Sequence, residues 1–476
     1  MKPVLIARQR ECELLTESLK SSRSEFIIVC GRRRIGKTFL IDQFFHNEYD
    51  FSFVGAHRAK TTIQLRNFAK AIRQYSGKKP APFADWYDAF DALEEYLETL
   101  PTDRKKVIFI DEMPWIDTSR STFVEALENF WNGWANRRYD IVLIASGSAT
   151  SWMADKLIEN QGGLHNRITQ RIYLKPFTLG ETETYFKSQD FYWTRYDMLQ
   201  CYMLTGGVPY YLSLLNPKLS IAQNIDALCF DEKGPMNKEF NELYPALFTH
   251  AEQYVNVVTL LYHHKSGMTR TEIAKAINVN GAMLNTILDN LEQCDYIDKM
   301  EMFGREKCLV YRLIDFYTLF YFKFLANRHS LDEQWWSHHL DDADIRAWQG
   351  LSFELVCMKH HRQIKKALGI SGVATTVSTW HCQPDEKKQL PGAQIDLIIE
   401  RADRMIHLCE MKFAQKPYNI SAEYEKRLRE RMWLFDLKTK NRKPLVHTFV
   451  TTFGLGEGKQ HSIVHSEVTM DDLFAS

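Results

Sequence analysis

The feature that most restricts this chain is a change of texture between residues 26 and 45. FIIVC at 26–30 is a short apolar run suited to a buried strand, GRRRIGKT at 31–38 follows without a gap, and FLIDQFF at 39–45 has helical spacing. The order strand, glycine-rich loop, helix fits the pattern GxxxxGK[ST] through Gly31, Gly36, Lys37 and Thr38. The glycines let backbone N–H groups close around phosphates, Lys37 would reach the β and γ phosphates, and the Thr38 hydroxyl would ligate magnesium.

KKVIFIDEMPW supplies a second buried strand that ends in Asp111 and Glu112. Carboxylates emerging at the carboxyl edge of a parallel sheet lie where such sheets bind ligands. Asp111 is expected to hold the magnesium and Glu112 to polarise the attacking water. FSFVGA, strand-like, and two helical stretches separate these strands in the chain, so the two phosphate-site strands are not consecutive. A further strand, DIVLIASGSAT, ends in small hydroxyl residues, of which Ser146 or Ser148 is a candidate γ-phosphate sensor.

Composition narrows the class. A chain of 476 residues exceeds a single core and suggests roughly three domains. A hydrophobic fraction of 45% beside 25% charged residues is that of a soluble globular protein, and no apolar run is long enough to span a bilayer. The start, MKPVLIARQRECELL, meets charge too early for a signal peptide. Nine cysteines without a CxxC pair argue against a disulfide framework or zinc site, so a reduced cytoplasmic protein with no membrane partner is expected. Sixty basic and sixty acidic residues cancel, so any contact with nucleic acid must be local.

GRRRIGKT, IDEMPW, SGSATSWM and LTGGVPYYL, with RECELL near the start, resemble the P-loop ATPases of archaea and bacteria related to AAA+ and STAND ATPases. The resemblance covers about residues 1 to 240 and continues as a domain order to the carboxyl terminus. It implies an α/β P-loop NTPase fold with a parallel sheet and helical lid, with ATP and magnesium as ligands. It also implies that Arg10 and Glu11 begin the adenine side and that Pro209 packs near the base. Read on its own, GGVP is a turn that starts a helix with proline in its first turn. Arg167 and Arg171 have no spacing that separates an arginine finger acting in trans from a surface arginine.

From about 250 to 315 the chain reads as three short amphipathic helices, with Thr269 and Thr271 as caps, followed by a hairpin turning at Gly304. This order is that of a winged helix. Its third helix, GAMLNTILDNLEQ, has no lysine or arginine and offers only Asn285 and Asn290 as base readers. Arg305 and Lys307 on the hairpin are the basic candidates. Basic contacts to phosphate dominate DNA affinity, so packing or regulation is expected above DNA reading. The aromatic stretch within 316–345 is expected to be a helical linker packed as core.

Residues 346–476 give a helix, a strand, a polar loop, the two strands IDLIIE and MIHLCEMK, a long charged helix and a last strand. This order resembles the PD-(D/E)xK nucleases, a restriction-endonuclease-like α/β fold. If the two strands pair around the Arg401–Arg404 turn, Asp396 and Glu410 face each other. Facing carboxylates need a cation or a raised pKa, and a divalent metal is the expected cation. Asp396 and Glu410 would hold magnesium or manganese, Lys412 would orient a water, and the resemblance adds Glu354 to the shell. Glu386 and Lys388 repeat the Glu-x-Lys spacing in a polar loop and serve as a control. Two functions follow: an ATPase that gates a metal-dependent nuclease acting on DNA or RNA, or a STAND-like switch with a dormant nuclease-like domain and a protein partner or self-association.

Overall fold

FIIVC does enter a sheet as a fully buried strand. In the computed structural model, which describes residues 5–475 apart from 119–120, 149–150, 154–155, 158–162, 165, 249, 306 and 329, strand β1 is Glu25–Gly31 and every one of its residues is buried. Ala149 and Thr150 of the SGSATSWM stretch lie outside the described residues, as does Glu306 of the hairpin. The chain divides into two compact units, Met1–Lys175 and Pro176–Ser476.

In the first unit β2 (Phe51–Val54), β3 (Lys106–Asp111), β4 (Ile141–Ser148) and β5 (Gln170–Leu174) join β1 in the order β2-β3-β4-β1-β5. Every neighbouring pair is parallel. The strand between β1 and β3 in space is β4, whereas FSFV, which lies between them in the chain, forms the edge. Alternate residues Ile27 and Val29, Val107 and Phe109, and Val142 and Ile144 share one face, packed with Leu15 and with Leu40 and Ile41 from the helices Gln9–Lys20 and Lys37–Phe44. At the opposite edge from the glycine loop, Lys106 Nζ reaches Asp140 Oδ2 at 2.6 Å, and Arg138 Nε reaches Asp140 Oδ1 at 2.8 Å. These pairs fix the starts of β3 and β4.

In the second unit the helix Ala251–His263, β6 (Met268–Thr269), the helices Arg270–Ala276 and Gly281–Gln293, and the strands β7 (Ile297–Met302) and β8 (Leu309–Leu313) follow in sequence. β8 pairs antiparallel with both β6 and β7, and Gly304 in the turn has φ 73°. Thr269 caps its helix in a reciprocal pair with Glu272, while Thr271 lies inside that helix and caps nothing. Asn280 caps the third helix by accepting from Met283 N. Within 316–345 the rings of Phe320, Phe324 and Trp336 gather with Trp348 at centroid distances near 5.4 Å, which is core packing.

The remaining strands are β9 (Thr375–Cys382), β10 (Ala393–Arg401), β11 (Ile406–Lys412), β12 (Leu445–Thr451) and β13 (Val464–Thr469). They extend one eight-stranded sheet in the order β13-β12-β11-β10-β9-β7-β8-β6. The hairpin joins it through two parallel pairs, Glu301 with Ser378 and Met302 with Thr379. β11 and β12 are parallel, connected by the helix Ala422–Thr439. Between β10 and β11 the register runs from Glu400 opposite Ile406 to Leu397 opposite Cys409. Asp396 and Glu410 come one step beyond the last pair, in the register the hairpin turn predicted. Against β9 the register shifts between Ile395 and Ile398, so Asp396 sits on a bulge.

Candidate functional site

The glycine loop leaves β1 at Gly31, where a Cβ would stand 2.5 Å from the Leu174 carbonyl oxygen, so no larger residue fits. Gly36, at φ 86°, takes the left-handed turn that admits the helix Lys37–Phe44. Lys37 is buried, and its Nζ donates to the Gly31 and Arg32 carbonyls at 3.3 and 3.2 Å. Thr38 Oγ1 donates to Asp111 Oδ2 at 2.7 Å. Asp111 Oδ1 accepts from the Glu112 backbone N–H at 2.9 Å and from the Ser146 hydroxyl. Ser146 is wholly buried, whereas Ser148 at the strand end is half-buried.

Gly31, Gly36, Lys37, Thr38, Asp111 and Glu112 therefore converge, as the motif spacing requires. Glu112 has left-handed backbone at φ 49°. Burial pushes its carboxyl above the ordinary range; Lys37 opposes the shift and Asp111 adds to it. A carboxyl raised in this way is suited to taking a proton. The hydroxyl of Thr38 and the carboxylate of Asp111 are hard oxygen donors at contact distance, a set that fits magnesium.

Three residues that the sequence reading passed over shape this site. Arg8, not Arg10, reaches the loop. Its guanidinium donates to the Lys175 carbonyl at 2.9 Å and the Ile35 carbonyl at 3.5 Å and stands 3.7 Å from Glu11, while Arg10 is exposed. The signal was a basic residue three positions before Glu11, at helical spacing. Gln64, fully buried, accepts from Ala56 N and donates to the Ala56 and Trp115 carbonyls, so it holds the segment after Glu112. Gly55 lets that segment approach, since a Cβ there would stand 2.6 Å from the Glu112 oxygen. Arg167 and Arg171 are both exposed. Pro209 is the first residue of the helix Pro209–Ser213 in the second unit, after Gly206 and Gly207 at φ 60° and 71°.

The carboxyl-terminal constellation is held differently. Lys412 Nζ stands 2.7 Å from Glu410 Oε1, and Arg431 and Tyr424, from the helix Ala422–Thr439, donate to Glu410 Oε2 and Oε1. Burial would raise the Glu410 carboxyl, but Arg431 and Lys412 outweigh it and hold it below the ordinary value. Burial would lower the Lys412 ammonium, but Glu410 outweighs it and holds it well above its usual range. Asp396 Oδ1 accepts from Gln394 Nε2 at 2.5 Å and faces Arg312 Nη1 at 3.5 Å. The raised carboxyl is Glu354, pushed up to about 7 by burial and then by Asp396.

As placed, these groups do not make a metal cage. Among the described residues no group of three or more histidine, cysteine, aspartate or glutamate side chains is arranged to hold a metal ion. The expected set of Glu354, Asp396 and Glu410 is corrected accordingly: the partners of Asp396 and Glu410 are cations and hydrogen-bond donors. Tyr424, Arg431 and Arg312 are the residues the sequence reading missed; the first two lie seven apart on one face of the charged helix. Glu386 is exposed in its loop, apart from the site.

The proposed base readers also change. Asn290 is buried and donates to the Tyr254 hydroxyl at 2.8 Å, so it cannot face a base. Asn285 accepts from Arg270 Nε at 2.6 Å. Arg305 and Lys307 are exposed on the hairpin. All nine cysteines are free thiols, and among the described residues no helix is long and apolar enough to cross a membrane.

Residues 5–215 match the family model for an ATPase domain found predominantly in Archaea. An uncharacterized protein of Methanocaldococcus jannaschii is 22% identical over 400 residues, covering 83% of this chain and 84% of that protein. Among solved structures, the Walker-type ATPase of Pyrococcus abyssi aligns with 67% of this chain and 96% of its own, at 17% identity and a TM-score of 0.48. The ORC2 protein of Aeropyrum pernix aligns with 75% of this chain and 96% of its own, at 14% identity and a TM-score of 0.41. The matched segment contains the whole Gly31–Glu112 constellation, and the amino-terminal region is a P-loop ATPase domain.

Proposed function

We propose that this chain binds and hydrolyses ATP in its amino-terminal domain and that the nucleotide state gates a nuclease-like carboxyl-terminal domain acting on nucleic acid. The observation that carries the first half is the contact of the Thr38 hydroxyl with the Asp111 carboxylate. It supports a magnesium-type donor pair beside the phosphate loop. The loop N–H groups and Lys37 would bind the phosphates, Thr38 and Asp111 would hold magnesium, and Glu112 would orient the attacking water. Magnesium, when bound, would neutralise charge on the outer phosphates. Glu11, with Arg8 beside it, is assigned to the adenine side, in keeping with the AAA+ and STAND resemblance.

The second half rests on the order helix, three antiparallel strands, helix, parallel strand over Ala343–Thr451, with Glu354, Asp396, Glu410 and Lys412 near one another. This order resembles that of a PD-(D/E)xK domain, with DNA or RNA as its substrate class. The region 250–315 is assigned as a winged helix used for packing. Its third helix is without basic residues, Asn290 is buried, and the hairpin is spent on the sheet edge. A second reading, a STAND-like switch whose nuclease-like domain is not catalytic, is favoured by one observation: Glu410 is already satisfied by Lys412 and Arg431.

The first test is nucleotide affinity by calorimetry. Lys37→Ala should weaken ATP binding by about a hundredfold or more through loss of the charge nearest the phosphates. Equal affinity in the variant and the wild type would overturn the assignment of the loop. Metal-dependent cleavage of plasmid, linear and branched DNA and of RNA, with and without ATP, then separates the nuclease from the switch.

A further inference from the structure

The carboxyl-terminal cluster is balanced without a metal. Glu354, Asp396 and Glu410 contribute three negative charges when ionised, and Arg312, Lys412 and Arg431 contribute three positive ones. A divalent ion added to that set competes with the cations already paired to Asp396 and Glu410. The three cations are not held equally. Lys412 and Arg431 grip Glu410 in close ion pairs. Arg312 divides its contacts among several partners: 3.5 Å to Asp396, 3.3 Å to Thr379 Oγ1, 3.4 Å to the Ser266 carbonyl and 3.2 Å to Met358 Sδ. Its Nε is buried with no hydrogen-bond partner, although the residue is only 7% exposed.

Arg312 also comes from elsewhere in the chain. It lies on β8, and its hairpin is joined to the sheet of Asp396 by the two residue pairs of β7 with β9 and by the Phe303 N–H to the Thr379 carbonyl. Beside it lies a cavity of about 200 Å³ into which Glu354 and Asp396 face together with Arg312, Lys265 and Lys323, so cations outnumber carboxylates there. We infer that Arg312 is a built-in counter-ion: it stands at Asp396 and keeps the carboxylates closed to a divalent cation. The inference rests on the nuclease-like reading of this site. It explains why the carboxylates and lysine of that reading occur together without forming a metal cage.

The test is manganese binding to the full-length protein without nucleotide, by calorimetry, with melting temperature in parallel. Arg312→Met and Arg312→Gln, two neutral replacements chosen so that one misfolded variant does not decide the matter, should bind manganese about tenfold more tightly than wild type. Arg312→Lys, which keeps the charge, should stay near wild type. Adding Asp396→Asn to either neutral variant should abolish the gain, which assigns it to this site. Asp396-dependent binding of equal strength in wild type and both neutral variants would overturn the counter-ion role and leave the nuclease-like reading standing. No Asp396-dependent binding in any of them would overturn both.

Discussion

Asp111 and Glu410 occupy similar places, each at or near the carboxyl end of a buried strand, and they are satisfied in opposite ways. Asp111 receives the hydroxyls of Thr38 and Ser146 and the N–H of Glu112, all neutral donors. Its hydrogen bonds are met while its charge is left for an incoming cation. Glu410 receives Lys412, Arg431 and Tyr424, so both its hydrogen bonds and its charge are met from within. Neutral donors prepare a carboxylate for a metal, and cationic donors replace the metal. Asp111 is therefore surrounded by neutral donors alone, and Glu410 by two cations as well.

The largest expected effect breaks or keeps the first half of this contrast. Glu112→Gln retains the shape of the side chain and removes its capacity to take a proton. Phosphate release should fall by about 10²- to 10⁴-fold while ATP remains bound, the usual range for loss of a general base. Hydrolysis at wild-type rate would mean that the β3 edge supplies no proton acceptor. The raised Glu112 carboxyl also fixes a sign: hydrolysis should be lost as pH falls through a value above the ordinary carboxylate range, because only the ionised form is a base.

A structural carboxylate calibrates the second half. Asp140 is buried between Lys106 and Arg138, at the opposite edge of its sheet from the glycine loop. Burial pushes its carboxyl up, but Arg138 and Lys106 outweigh that and bring it down to about 2. Because the folded value is depressed, its stabilisation is fully present above the ordinary value of 3.8 and is lost as pH falls from there toward about 2. Asp140→Asn should cost about 3 kcal/mol at neutral pH by stranding Lys106, which has no exposed side-chain surface. Glu410→Gln should cost somewhat less, about 2 kcal/mol, because the Lys412 and Arg431 side chains are each 26% exposed and water can reach them. Asp111→Asn should cost under about 1 kcal/mol, since no cation is left stranded among its hydrogen-bond donors. Urea unfolding of the three variants orders them, and an Asp111 variant as damaged as Glu410→Gln would erase the distinction.

What the sequence disclosed follows the range of the forces involved. The Gly31–Thr38 loop was legible because its chemistry is written in eight consecutive residues. The register of β10 and β11 was legible because a short turn fixes it. The position of β4 between β1 and β3 was not, since parallel strands are ordered by packing and not by succession. Asn290 looked available on an amphipathic helix until Tyr254, from a helix nearly forty residues earlier, covered it. Arg312 and Arg431 were invisible for the same reason: charge balance at Asp396 and Glu410 is settled by side chains brought from other elements. A Glu-x-Lys spacing records which groups are present and not whether they are already neutralised.

The smallest predicted effect is the sharpest probe of that last point, because it removes one hydroxyl from each site. Ser146→Ala deletes a donor to Asp111, whose other side-chain donor is the Thr38 hydroxyl. Tyr424→Phe deletes a donor to Glu410, which keeps two cations. A hydrogen bond to a charged group contributes about 1.5–3 kcal/mol where nothing substitutes for it, and less where stronger partners remain. Ser146→Ala should therefore weaken magnesium-dependent ATP binding by about tenfold, while ATP binding in chelator stays unchanged, because the hydroxyl acts through Asp111. Tyr424→Phe should shift the unfolding free energy by under about 0.5 kcal/mol, the residue left after Arg431 and Lys412 hold the carboxylate in place. If Tyr424→Phe proves the more damaging of the two, Glu410 depends on its neutral donor after all, and the cations around it are not what keeps that site closed.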